Sequence, residues 1–468
     1  MNDAVQTTII DEGKIQETLF RTRSLSDDSG HIKEVLAKAL ELKGLSAEET
    51  ALLMNVSDPT LERAISDTAK RIKEQIYGKR LVLFAPLYIS NLCQNECLYC
   101  AFRAKNKAVK RRSLDQEEIA REVVTLVNQG HKRLLVVVGE AYPKEGFSYV
   151  TRSIETVYSV KTDKGEIRRV NVNVAPLTLD EFRMLKATGI GTYQLFQETY
   201  HRETYQRVHL SGKKRDYDWR ISATDRAMTA GIDDVGVGVL FGLYDWRFEI
   251  LAILQHVAHL EKTFGVGPHT ISVPRLEPAT GSEMSEHPPF PVSDEDFRKI
   301  IAILRISVPY TGIILSTRES PETRRESFAL GVSQISAGSR TNPGGYSEDD
   351  RDPDSSQFSL GDHRTLDEVI RDVASLGYIP SFCTGCYRLG RTGQDFMDLA
   401  KPGDIKYHCD PNALSTFTEY LLDYASEETR QAGEALIEKT LAQMDDKQRE
   451  ISLGLVQQVR AGKRDVFC

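Results

Sequence analysis

The sequence predicts an α/β fold built on a (β/α)8 TIM barrel, with a helical extension before it and a mostly helical region after it. Three observations carry this. From residue 81 onward, eight short β-branched or aromatic runs alternate with longer helical stretches. Reactive polar residues gather at the carboxyl ends of those runs, where such barrels place their chemistry. The chain has 468 residues, 40% of them hydrophobic, enough for a barrel-sized core of about 300 residues with about 150 to spare.

The first eighty residues read as helix. In HIKEVLAKALELKGLS (31 to 46) apolar positions recur at three and four, Gly44 and Ser46 supply a stop and a cap, and a second amphipathic stretch runs from about Leu61 to Tyr77. Strands follow at LVLFAPLYI (81 to 89), RLLVVVGE (133 to 140), RRVNVNVAP (168 to 176) and GTYQLFQET (191 to 199). The second four are DVGVGVLFG (234 to 242), HTISVPRLEP (269 to 278), GIILSTRE (312 to 319) and VSQISAG (332 to 338), and the last helix falls at about 365 to 377. The expected division is a helical extension over 1–80, a barrel over 81–377 and a C-terminal domain over 378–468.

Polar groups fall where the barrel rule requires. Gly139 and Glu140 end strand two, Asn171 and Asn173 point the same way along strand three, and Gln197, Glu198 and Thr199 end strand four. Ser316, Thr317 and Arg318 end strand seven, and Ser339 and Arg340 follow strand eight. The stretch from Ser339 to His363 is rich in Asp, Ser, Gly and Pro, and reads equally as a lid over the rim or as surface disorder.

Six of the seven cysteines form two triads. Cys93, Cys97 and Cys100 have the spacing CxxxCxxC directly after strand one; Cys383 and Cys386 form CxxC, with twenty-two residues between Cys386 and Cys409. Three thiolates leave one iron of a 4Fe-4S cubane free for a ligand that is not protein. For the second triad a zinc site completed by His408 stands as an alternative. The first triad has no histidine near it in sequence, and its spacing is not a common one for zinc. Cys468 is expected to be a free, frayed thiol.

Charge narrows the partners. Sixty basic against 68 acidic residues give a net charge of −8, which asks for neither nucleic acid nor an anionic membrane. A short basic run, Lys105, Lys107, Lys110, Arg111 and Arg112, reads as a solvated loop. No secretory pattern and no apolar run near the ~18 residues of a membrane span are present, so reduced thiols in a cytoplasmic protein are expected.

CxxxCxxC after strand one, Tyr99 before its last cysteine and Gly139-Glu140 at the end of strand two resemble the radical S-adenosylmethionine superfamily. That resemblance implies a free iron chelating the methionine half, and an electron from the cluster that yields a 5'-deoxyadenosyl radical able to abstract hydrogen. Backbone at Gly139, beside Glu140, then suits the ammonium group. Glu198, with Gln197 beside it, suits the ribose hydroxyls, or else pairs with Arg202 or Arg220. Asn173 is either a cofactor contact or a satisfied core amide.

GPHTISVPRLEP, LFQETYH, LSTRE, QISAGSRTNPGGY and CTGCYRLGRTG are similar to the tyrosine lyases that mature FeFe-hydrogenase, relatives of the thiamin-pathway tyrosine lyase, which lacks the second triad. The resemblance implies cleavage of L-tyrosine to p-cresol and dehydroglycine. Carbon monoxide and cyanide then form on an iron at an auxiliary 4Fe-4S cluster, giving an iron-cyano-dicarbonyl synthon for the H-cluster. In that family the labile iron is held by one histidine and a free amino acid, expected to be cysteine. Partners implied are an electron donor such as ferredoxin or flavodoxin and hydrogenase maturation scaffold proteins. Another radical lyase of aromatic amino acids, or a carrier of iron-sulfur clusters, are the competing readings.

Topology selects the histidine. The helix at 365 to 377 returns to the bottom of the barrel and delivers Cys383 and Cys386 there; His269 opens strand six and also lies at the bottom, whereas His256 and His259 are on the preceding helix. Two centres at opposite mouths require an internal passage lined by small and polar residues. At the top, Arg318 suits the tyrosine carboxylate, with Ser316 and Thr317 as neighbouring donors and Arg340 as second choice; the competing role for Arg318 is a pair with Glu319 or Glu322.

Overall fold

The computed structural model describes residues 8–23, 28–347 and 355–468. Eight parallel strands close a barrel: β1 (Arg80–Ser90), β2 (Arg133–Val138), β3 (Arg169–Asn173), β4 (Tyr193–Gln194), β5 (Val235–Gly238), β6 (Thr270–Ser272), β7 (Gly312–Leu315) and β8 (Val332–Ser336). Pairing of β8 with β1, from Val82 opposite Gln334 to Phe84 opposite Ser336, seals the cylinder. All eight expected strands are present, and the intervening helices sit outside them. Capping boxes start several of these helices, at Asp115 with Glu118, Thr178 with Glu181 and Thr365 with Glu368.

A ninth strand, β9 (Ile379–Ser381), was not legible. It pairs with the lower end of β1, Arg80 opposite Ile379 to Val82 opposite Ser381, while β2 takes the same edge from Ala85 upward. Pro380 has no N–H for the ladder, so the strand stays short and its sequence reads as loop. Every residue of β1 is buried, and this one long strand supports both ends of the molecule.

The N-terminal extension holds helices Glu12–Thr22, Ser29–Ala39, Ala47–Met54 and Pro59–Tyr77. Gly44 is left-handed (φ 79°) and Ser46 caps the helix after it, as the sequence indicates. The last helix begins two residues before Leu61, because the Asp58 side chain accepts from the Thr60 and Leu61 amides and Pro59 fits the first turn. After β9 come three long helices, Lys406–Asp423, Glu427–Gln443 and Asp446–Arg460. One apolar core runs without a break through both helical regions and the barrel wall. Among the described residues no helix is long and apolar enough to cross a membrane.

Candidate functional site

At the carboxyl ends of the strands lies a cavity of about 200 Å³ whose lining includes Cys93, Cys97 and Cys100. The loop bearing them is held rigidly. The Arg111 guanidinium donates to the carbonyls of Asn91, Phe102, Arg103 and Asn106, and Glu96 accepts from Arg103 and from the Lys105 amide. Tyr99, buried, donates to His209 Nε2 at 2.8 Å, and His209 Nδ1 donates to the Tyr205 carbonyl at 2.8 Å. Both ring nitrogens of His209 are thereby used, so it braces the loop and is not free to bind metal.

Four charged side chains form a buried network along one wall. Arg220 donates to Glu140 at 2.8 Å and stands 3.6 Å from Glu198; Lys214 donates to Glu198 at 2.6 Å. Burial pushes the Glu140 carboxyl up, but Arg220 and Lys214 outweigh it and hold the group below its ordinary value. The pairing resolves Glu198 away from Arg202, which joins Asp218 instead. Glu198 is also left-handed (φ 73°), a conformation costing a non-glycine residue about 1 kcal/mol or more. It is pinned there by the Leu240 amide donating to its carbonyl at 2.8 Å, and its carboxylate faces the cavity.

Gly139 lines the same cavity, its amide donating to the Ser90 carbonyl at 2.9 Å. A Cβ here would lie 2.3 Å from the Leu92 carbonyl oxygen, so only glycine lets the triad loop pass. Asn173 donates to the Gln194 carbonyl at 3.0 Å, and Asn171 accepts from the Thr192 amide at 3.0 Å; together they bridge β3 to the two-residue β4. Asn173 is therefore partly a structural amide, though it also lines the cavity.

Ser316, Thr317 and Arg318 form the opposite wall. The Arg318 guanidinium stacks 3.3 Å from the Phe358 ring centroid, and among the described residues no carboxylate pairs with it. The two acids beside it are taken: Glu319 by Arg275, and Glu322 by Arg325 at 3.9 Å. Phe358 and Gln357 belong to the stretch after strand eight, and Tyr88 donates to Gln357 at 2.7 Å. This flank of the 339–363 stretch thus covers the rim; its centre, 348–354, lies outside the described residues. Of the residues expected to contact cofactor or substrate, two do not line the cavity. Gln197 is buried behind it, with its amide nitrogen unpartnered, and Arg340 folds back to donate to the Ser339 carbonyl at 3.1 Å.

The opposite mouth holds a smaller cavity of about 50 Å³, lined by Cys383, Cys386, Cys409 and His269. Strand β9 delivers the first two, and Arg133, the first residue of β2, donates to the Cys383 carbonyl at 2.8 Å. Cys409 comes from the helix Lys406–Asp423. His269 is fixed by its amide donating to the Val235 carbonyl at 2.8 Å and by the Phe396 ring 4.5 Å away. Burial lowers its pKa and outweighs the opposing pull of Asp234 at 3.6 Å, so the neutral imidazole is favoured. His256 instead lies in the core between Tyr200 and Thr224, and His259 pairs with Asp225.

The donor chemistry suits clusters better than single ions. Among the described residues no three His, Cys, Asp or Glu side chains close round one metal ion, and His408 turns to Arg391 at 3.4 Å rather than into the cavity. A cubane is several ångströms across and spreads its three thiolates farther than one ion does. All seven cysteines are free. Burial pushes the Cys100 thiol up to about 11 and the Cys409 thiol up to about 12, so a bound cationic centre is what would ionise them.

Cys468 is not frayed. Its amide donates to Asn412 Oδ1 at 2.8 Å and its carbonyl accepts from Arg391 at 2.8 Å and Asn412 at 3.0 Å. Asn412 lies one turn beyond Cys409 and presents its amide to this end of the chain.

The two cavities are separate bodies rather than one open tube. Gln194 lines the upper cavity and Gln334 the lower, and Gly236, in register with Thr270 on the next strand, lines neither. A Cβ on Gly236 would lie 2.5 Å from Thr270 Oγ1 and 2.9 Å from Gln194 Cγ, side chains of its two neighbouring strands, so this level of the barrel has no room for a larger residue. Sequence reasoning named Arg220 only as a partner for Glu198 and missed Lys214, which sits in a single 3-10 turn, Lys213–Arg215, after β4. It also missed Arg80, Arg133, Arg391 and Asp234 at the lower mouth. Arg80 and Arg133 open strands one and two, so the topological rule that found His269 would have found them.

Comparison with known proteins agrees with this geometry. The Radical SAM superfamily model matches residues 87–256, and the Biotin and Thiamin Synthesis associated domain matches 272–379. The 2-iminoacetate synthase of Salmonella typhimurium is 34% identical over 358 residues, 76% of this chain and 92% of that protein. The structure of HydG, a maturase of the [FeFe]-hydrogenase, is 47% identical, covers 98% of this chain and all of its own, and superposes with a TM-score of 0.94. The HydG maturase from Carboxydothermus hydrogenoformans is 40% identical over 96% of this chain and all of its own, with a TM-score of 0.81. A chain matched end to end by the maturases, and over three quarters of its length by the synthase, belongs to the HydG family of radical S-adenosylmethionine [FeFe]-hydrogenase maturases.

Proposed function

We propose that this protein cleaves L-tyrosine to p-cresol and dehydroglycine at the upper cavity, and converts the second fragment to carbon monoxide and cyanide at the lower one. The product is an iron-cyano-dicarbonyl unit passed to hydrogenase maturation scaffold proteins. The observation that carries the reading is a pair of cysteine triads lining separate cavities at opposite mouths of one barrel. Cys93, Cys97 and Cys100 would hold the first 4Fe-4S cluster. Cys383, Cys386 and Cys409 would hold the second, with His269 as ligand to the cargo iron and a free amino acid, cysteine, completing it. When bound, the first cluster and S-adenosylmethionine supply one-electron cleavage chemistry.

The chain's own residues bind and orient. The Gly139 carbonyl keeps a lone pair for the cofactor ammonium, while Glu140 and Glu198, paired with Arg220 and Lys214, face hydroxyl and ammonium groups. Arg318, with no carboxylate of its own, takes the tyrosine carboxylate beside Ser316 and Thr317. Phe358 and Gln357 exclude water above it. Reduced thiols suit a cytoplasmic setting.

Anaerobic incubation of the reconstituted protein with S-adenosylmethionine, tyrosine and dithionite tests the reading. Deoxyadenosine, p-cresol, carbon monoxide and cyanide are expected. Neither deoxyadenosine nor p-cresol would mark a cluster carrier, and p-cresol without cyanide a different lyase.

A further inference from the structure

The loop that carries the first triad has an outer face whose charge is opposite to that of the molecule. Cys93 lines the inner cavity and also an outer hollow of about 400 Å³, with Asn106, Lys107, Val109, Arg111 and Ala141 among its walls. One ligand position of the triad therefore stands between the reaction chamber and a solvent-facing depression.

Those walls are rigid. Besides the four carbonyls gripped by Arg111, the Asn106 amide donates to the carbonyls of Ala101 and Thr280 at 2.8 Å each, and Arg103 donates to Gly281 at 2.7 Å. On this clamped loop Lys105, Lys107 and Lys110 are exposed, as is Lys144 just beyond Ala141. Among the described residues none of the four lysines makes an ion pair, whereas neighbouring Arg103 and Arg112 are matched to Glu96 and Glu118. Lys107 lines the hollow, Lys105 and Lys110 directly flank its wall residues Ala104, Asn106, Val109 and Arg111, and Lys144 follows Ala141 by three residues. Four cations without an ion pair, on a chain of net charge −8, make a local field that attracts a negatively charged partner and leave the rest of the surface to repel it.

We propose that this face, Lys105, Lys107, Lys110 and Lys144 around the hollow beside Cys93, is the docking surface for an acidic one-electron carrier protein. The inference rests on the reading above, in which the first triad holds a centre that takes up one electron per cleavage. In each encounter one electron leaves the reduced carrier, which is oxidised by one electron, and enters that centre; no atom or proton is transferred. Exposed lysines suit such a transient contact, because compact charges on flexible stems steer approach without the directional grip of paired arginine.

The test uses the cluster-loaded protein and reduced flavodoxin as the acidic probe, with the variant Lys105→Glu/Lys107→Glu/Lys110→Glu. Flavodoxin binding by calorimetry and cluster reduction by stopped-flow absorbance should weaken about tenfold or more, and their salt dependence should flatten. Reduction by dithionite should be unchanged. Lys107→Gln should give a smaller loss in the same direction, and Lys439→Glu/Lys447→Glu, on the far helices, none. Unaltered flavodoxin binding and reduction in the triple variant would overturn the proposal. So would an equal loss with dithionite, which would make the lysines part of the triad's own scaffold. Wild-type protein that is reduced normally yet forms no p-cresol would count against the tyrosine reading and leave the docking surface standing.

Discussion

The two mouths of the barrel solve opposite electrostatic problems. At the upper cavity the buried charges are balanced within the protein: Glu140 and Glu198 against Arg220 and Lys214. At the lower cavity they are not. Arg80 is buried there with its Nε unpartnered and no carboxylate paired to it among the described residues; its chief electrostatic neighbours are the thiols of Cys409, Cys383 and Cys386 and the hydroxyl of Tyr77. Arg133 is likewise bound only to a carbonyl through one nitrogen, and Asp234 is the one carboxylate in the lining. A balanced wall suits ligands that carry both signs, as an amino acid and a sulfonium cofactor do. A cationic wall only partly offset by Asp234 and by the buried Asp410, which feels Arg80, suits an anionic thiolate-bound centre, because a buried charge without a close partner is costly until one arrives.

The contrast breaks most directly at the cysteines. Cys93→Ala should reduce deoxyadenosine and p-cresol together to background, whereas Cys386→Ala should leave p-cresol and lose carbon monoxide. Chromatography of the aromatic product beside carbon monoxide capture by haemoglobin reads both, and equal loss of both products in Cys386→Ala would mean that the two mouths are not independent. Arg318→Lys comes next. Replacing a planar fork by a point charge removes a charge-assisted hydrogen bond worth about 1.5–3 kcal/mol, so KM for tyrosine should rise about 10- to 100-fold. Cofactor affinity should hold, and an equal loss of both would place Arg318 elsewhere in the chemistry.

Smaller effects sharpen the lower half. Arg80→Gln should weaken retention of the second cluster about 10- to 100-fold, the range for residues just behind metal ligands. Iron per protein after dialysis against a chelator measures it, with the first cluster's signal as internal standard. Gly236→Ala tests the barrel layer at Gly236. Its methyl group meets Thr270 and Gln194, so carbon monoxide per p-cresol should fall several-fold while p-cresol formation stays within about twofold. Overpacking of this kind costs about 1–3 kcal/mol, which a melting curve separates from a blocked passage. An unchanged product ratio with a lower Tm would show that nothing passes through this layer.

Much of this contrast was legible in sequence because it depends on order along the chain. Strand direction in a (β/α)8 barrel fixes which strand ends share a mouth, so Cys93 and Arg318 could be assigned to the top and His269 to the bottom without coordinates. The same rule could not see β9, three residues with a proline, whose position comes from its pairing with β1. It ranked Arg318 above Arg340 but could not show where either guanidinium turns. Both follow strands, but one guanidinium lies on Phe358 in the cavity and the other turns back on its own backbone. The expectation for Cys468 failed for a similar reason, since its anchors Asn412 and Arg391 lie 56 and 77 residues away.

By itself the sequence determined the fold, the two triads and the mouth to which each belongs, because periodicity, spacing and strand direction are properties of order along a chain. Only the tertiary structure decided how the charges are shared. The match of Glu198 with Lys214, the absence of an ion pair for Arg80 among the described residues, and the tight packing of Gly236 against Thr270 and Gln194 all depend on distances between distant segments. Coulomb energy and steric contact are set by those distances, not by position in the chain.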